Sequence, residues 1–83
     1  MLTLHVRFVA SELTPGLENG EYCIADGSTV RDLISFCEKQ CGVSIPLKNF
    51  KMMYPLFNGK PVTLDSVITK GGTVHICRVV MGG

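Results

Sequence analysis

Leu2, Leu4, Val6 and Phe8 alternate with Thr3, His5, Arg7 and Val9, the period of two that a strand shows when one face is buried and the other is wet. Residues 11–19 break that rhythm with Pro15, Gly16 and the Asn19-Gly20 pair and read as a loop; residues 21–25 resume a short strand, so the chain opens on an antiparallel pair. The period then changes. Val30, Leu33, Ile34, Cys37 and Cys41 recur at spacings of three and four, one apolar stripe on a helix of three to four turns. Thr29 followed by Asp32 has the form of a capping box at its start, and Gly42 is a C-terminal cap. Arg31, Ser35, Glu38 and Lys39 form its polar face, expected in solvent.

Residues 43–51, with Pro46 and mixed polarity, read as a connection. Residues 52–57 are apolar and run into Asn58-Gly59, a tight-turn pair because both residue types tolerate positive φ. Pro55 interrupts a stretch that is apolar on both phases, so the pattern leaves open whether Leu56 or Phe57 faces the core. For Met52-Met53-Tyr54 a place in the core is favoured over a partner patch. Val62, Leu64, Val67 and Ile68 fit a short irregular or single-turn segment, Lys70-Gly71-Gly72 a turn, and residues 73–80 a last strand. A single helix with one apolar stripe needs a sheet to lie on. The expected fold is therefore α+β, a mixed four- to five-stranded sheet packed on one main helix.

Size agrees with that economy. Eighty-three residues make one domain, able to bury about 60–65% of its unfolded surface. An apolar share of 46% and a charged share of 18% exclude a disordered chain. No apolar run reaches the roughly 18 residues of a membrane span. The opening Met1-Leu2-Thr3-Leu4-His5 lacks the features of a secretory signal, so a cytoplasmic protein with reduced thiols is expected. Net charge is +1, but residues 1–38 carry −4 and residues 39–83 carry +5. Solvated charge is the simpler reading, with two faces of opposite sign that steer a partner as the functional one. No aromatic and basic residues interleave as a nucleic-acid groove requires, so neither nucleic acid nor membrane is expected as a partner.

The chain offers little chemistry of its own. Cys37 and Cys41 share a helix face, but their apolar neighbours make them buried thiols rather than metal ligands, and no metal site is expected. His5 and His75 fall on outward strand positions without an acidic or cysteine partner at useful spacing. Ser11 and Ser28 lack a nucleophile elbow, and there is no phosphate loop or metalloprotease motif. No catalytic residue is expected.

The feature that changes this picture is Met81-Gly82-Gly83, directly behind the last strand. A diglycine has no side chains to obstruct entry into a narrow enzyme channel, and it leaves an unhindered carboxylate. Residues 79–83 read as a flexible tail on a single domain spanning 1–83. The element order, the Thr29-Val30-Arg31-Asp32-Leu33 helix start, the Leu56-Phe57-Asn58-Gly59 strand end and the Gly82-Gly83 tail together resemble the MoaD and ThiS families of sulfur carriers. These are β-grasp relatives of ubiquitin, and the resemblance spans essentially the whole chain.

The resemblance implies a carrier that binds no cofactor and catalyses nothing itself. A ubiquitin-activating-type adenylating enzyme, using ATP and Mg, would thread Val79, Val80, Met81 and Gly82 into its site and adenylate the Gly83 carboxylate. A persulfide sulfur donor would then yield a thiocarboxylate for cofactor biosynthesis, foremost that of molybdopterin. Further implied partners are a large synthase subunit or thiazole synthase. Arg7, Cys77 and Arg78 are the candidate partner-contact residues, with simple solvation the plainer reading of Arg78, and Arg7 and Cys77 stand where molybdopterin synthase small subunits look more apolar and aromatic. Two alternatives remain: a ThiS-type carrier for the thiamine thiazole, and a ubiquitin-like modifier conjugated through Gly83. An interaction module with an inert tail is a third.

Overall fold

In a computed structural model, which describes residues 1–79, the chain forms β1 (Leu2–Phe8), β2 (Gly20–Ile24), α1 (Val30–Cys41), α2 (Leu47–Phe50), β3 (Met53–Phe57), β4 (Lys60–Pro61) and β5 (Gly72–Arg78). The five strands make one sheet in the order β2-β1-β5-β3-β4. β1 and β5 run parallel at its centre, and every other pairing is antiparallel. The mixed sheet on one main helix is thus as expected, with two small elements added.

Alternation in β1 does what the pattern requires: Leu4, Val6 and Phe8 are buried, while Thr3, His5 and Arg7 are exposed. Val74 and Ile76 of β5 lie on the same side, and the α1 stripe of Val30, Leu33, Ile34 and Cys37 closes over them. Cys41 ends the stripe only half-buried, beside Tyr22. Ala10, Leu13 and Ile45 also enter the core, from segments that read as connections.

The helix ends as its sequence demands. Thr29 Oγ1 accepts from the Asp32 N–H at 3.1 Å, and the Thr29 N–H donates to Asp32 Oδ2 at 3.0 Å. At the other end Gly42 takes φ 70° and its N–H donates to the Glu38 carbonyl. Both ends meet amides or carbonyls that the helix cannot satisfy internally. Thr29→Ala should therefore cost about 1 kcal/mol, lowering the melting temperature by about 4–8 °C in a domain of this size. Thr29→Ser should nearly restore it in the same thermal scan.

Several details differ from expectation. Strand two spans Gly20–Ile24 rather than 21–25, because Ala25 already accepts the turn bond from the Ser28 N–H at 3.2 Å. The 43–51 connection contains α2, a single turn that begins directly after Pro46. Glu38, expected in solvent, is half-buried because its carboxylate folds back over the helix end and accepts from the Ile45 N–H at 2.7 Å. The Met52-Met53-Tyr54 cluster splits: Met53 is core, but alternation turns Met52 and Tyr54 outward, 43% and 38% exposed. The same phase settles the open question at the strand end, since Phe57 packs on the core and Leu56 does not.

Asn58 and Gly59 both take positive φ, 50° and 83°, the geometry of a two-residue hairpin turn. The hairpin's second strand, β4, is only two residues long, and Pro55 accounts for that. Its carbonyl accepts from the Val62 N–H at 3.1 Å, but proline has no N–H to return the reciprocal bond. Pairing stops there. The last strand ends at Arg78 rather than at residue 80 among the described residues.

Candidate partner-docking face

One side of the sheet carries α1, and the other is open. On that open side the register sets Arg7 of β1 beside His75 of β5, and His75 beside Leu56 of β3. One step further along β5, Cys77 lies beside Tyr54. Val9, one residue past β1, is 61% exposed and held against β5 by its N–H to the Ile76 carbonyl at 3.0 Å. The half of this face nearest the end of β5 is therefore an apolar strip of Val9, Met52, Tyr54, Cys77 and Val79. The other half is polar, with Thr3, His5, Glu21 and Thr73.

Arg7 and Cys77 thus share a face, on neighbouring strands. Arg78 does not join them. It has the opposite phase in β5, and its Nη1 pairs with Glu12 Oε1 at 2.9 Å in the loop after β1. The Glu12 carboxyl is held below its ordinary 4.5 by its own backbone N–H and then by Arg78, so the pair is charged at neutral pH. Both partners are more than half exposed, which makes this a contact of orientation rather than of stability. His5, read as lacking an acidic partner, has one across the strands: Glu21 Oε1 lies 3.6 Å from its Nε2. Sequence spacing missed it because the two are cross-strand neighbours.

Val79 is half-buried, and its N–H donates to the Met52 carbonyl at 2.8 Å, so sheet pairing reaches one residue into the segment read as tail. Val80, Met81, Gly82 and Gly83 lie outside the described residues.

Cys23 and Cys77 lie on the open face, while Cys37 is fully buried beneath the sheet. Burial, and after it the neighbouring Cys41, pushes the Cys37 thiol up to about 12. Because the thiolate is the nucleophile, Cys37 should stay unlabelled by iodoacetamide in the native state while Cys23 reacts. Peptide mass spectrometry before and after unfolding reads this directly, and equal labelling rates would show that the core opens. Among the described residues no group of three or more His, Cys, Asp and Glu side chains could hold a metal ion, and no helix is long and apolar enough to cross a membrane.

No family model and no curated protein matches the sequence. Solved structures do match. A candidate molybdopterin converting factor, subunit 1, from Pyrococcus furiosus superposes with a TM-score of 0.67 at 21% identity, covering 96% of this chain and all of that one (100%). SAMP1 from Haloferax volcanii gives a TM-score of 0.61 at 14% identity over 99% of this chain and 98% of its own. The N-terminal ubiquitin-like domain of the 4931431F19Rik protein gives 0.57 at 18% identity over 99% of this chain and 78% of its own. The fold is the ubiquitin-like β-grasp. At these identities the likeness speaks for architecture. In this β-grasp chain α1 covers one face of the sheet and leaves the other open.

Proposed function

We propose that this chain is a sulfur carrier whose Gly83 carboxylate is activated by a partner enzyme of the ubiquitin-activating type. The observation that carries the reading is the course of β5, which brings the backbone past an exposed apolar strip to Val79, four residues before Gly83. Four residues span at most about 14 Å when extended. Any enzyme that acts on Gly83 must therefore sit close to the end of β5, and the strip is the surface waiting there.

In the proposed sequence a Gly83 carboxylate oxygen attacks the α-phosphorus of ATP and pyrophosphate leaves, giving an acyl-adenylate. ATP and magnesium belong to the partner, whose charges stabilise the phosphate chemistry. The terminal sulfur of a persulfide donor attacks the acyl carbon and AMP leaves; a second thiol then reduces the resulting acyl disulfide, forming a thiocarboxylate and a disulfide. The thiocarboxylate passes sulfur to a metabolite held by a synthase, with the molybdopterin precursor the foremost acceptor. The fold shared with a candidate molybdopterin converting factor subunit supports that choice. The chain itself is a substrate and subunit, not an enzyme.

The test is ATP–pyrophosphate exchange by the ubiquitin-activating-type enzyme of the same cell. Exchange should require this chain and vanish when Gly82 and Gly83 are deleted. Exchange that is absent with the full chain, or indifferent to the deletion, refutes the proposal.

A further inference from the structure

Arg7 occupies the middle of the open face. It is exposed, and among the described residues it makes no ion pair, whereas Arg31 pairs with Asp65 and Arg78 with Glu12. Its neighbour across β5 is His75, not a carboxylate. The acidic side chain on this stretch of sheet, Glu21, is already directed at His5. Beside Arg7 lies an open depression of about 580 Å³ lined also by His5, Asn19, Glu21 and Thr73. Asn19 is fixed there, because its Oδ1 accepts from the Phe8 N–H at 2.7 Å. Arg7 thus stands, by its place in β1, between the polar half of the face and the apolar strip of Val9, Met52, Tyr54 and Cys77.

A partner that covers the strip in order to reach the segment beyond Val79 covers Arg7 as well. Stripping water from an arginine without giving it a counter-charge is costly. An activating enzyme with an apolar surface at this point would be rejected. One that presents an aspartate or glutamate gains a charge-assisted, bidentate contact that a lysine would not match. Specificity of this kind comes from the penalty on wrong partners as much as from the gain with the right one.

We propose that Arg7 is a specificity-determining residue of the docking face, receiving a carboxylate side chain of the activating enzyme and so selecting the enzyme that adenylates this chain. The inference rests on the carrier reading above. It goes beyond it by stating the chemistry of the partner surface: an apolar ridge over the strip, with an acidic residue beside it, opposite Arg7.

The experiment measures ATP–pyrophosphate exchange by the activating enzyme of the same cell, with the full chain and its Arg7→Met, Arg7→Lys and Arg7→Glu variants, each first checked for an unchanged melting temperature. Arg7→Met should raise the KM for the chain about 10- to 100-fold, the range for losing a hydrogen bond to a charged group, with kcat unchanged. Arg7→Lys should fall between wild type and Arg7→Met, and Arg7→Glu should be worst. The rise of KM with salt should be shallower for Arg7→Met than for wild type, because a screened attraction is gone. A KM within about twofold of wild type for Arg7→Met at low salt, while wild type and Arg7→Met both support exchange, overturns the inference and leaves the carrier reading intact. No exchange with wild type overturns both.

Discussion

Gly83→Val is expected to abolish adenylation while leaving the domain folded. The described core is drawn from residues 4–76, so a change at position 83 should move stability by no more than about 0.5 kcal/mol, a shift of about 2–4 °C in melting temperature. The chemistry should respond quite differently. On the proposed reading a valine side chain next to the reacting carboxylate would meet the wall of a channel shaped for glycine, and a displacement of about 1 Å at a reacting centre costs on the order of 100-fold in rate. Pyrophosphate exchange should drop by at least that factor, with docking through the open face retained. A variant that binds the activating enzyme and is adenylated normally would remove the reason for a diglycine. A variant that no longer binds would place the docking determinants in the tail rather than on the sheet.

Leu33→Ala should have the largest effect on the fold. Leu33 is fully buried at the centre of the α1 stripe, against a core that includes Leu4, Val6, Val74 and Ile76. Truncation removes apolar contacts and leaves a cavity, costing about 2–5 kcal/mol. A domain of this size has about 4–12 kcal/mol in total, so the variant should melt at least about 8 °C lower or fail to fold at 37 °C. Urea denaturation gives the same answer through a lower midpoint at unchanged slope. A cost below about 1 kcal/mol would mean that α1 does not seal the sheet as described. Because α1 and the sheet share one core, its loss would remove the candidate docking face as well.

The elements were legible where one local rule governs them. Alternation alone is enough for β1, and the helix declares both ends, through Thr29 with Asp32 and through Gly42. Asn58-Gly59 announces the hairpin. What the sequence hid depends on contacts between distant residues or on pieces too short to show a period. α2 is one turn, so its four residues cannot repeat. β4 ends after two residues because of Pro55, a proline five positions before that strand begins. Glu38 reaches the Ile45 amide and Arg78 reaches Glu12, pairs that no periodicity records.

The candidate site shows the same division. The alternation of β1 already put Arg7 outward, and alternation in β5 did the same for Cys77. That Val9, Met52 and Tyr54 join Cys77 in one apolar strip follows from the order β1-β5-β3, which is a property of topology rather than of any one segment. Arg78 reads as a partner contact from the sequence because it flanks the tail, next to Cys77. Strand alternation sends it to the other side.

The proposed role has a direct chemical signature. The protein isolated from its native cell, digested and analysed by exact mass at its C-terminal peptide, should contain a form in which one oxygen of the Gly83 carboxylate is replaced by sulfur, resolved from oxidation of Met81. A C-terminal peptide found only as the plain carboxylate, or only as branches joined through Gly83 to lysines of other proteins, would contradict the sulfur-carrier account.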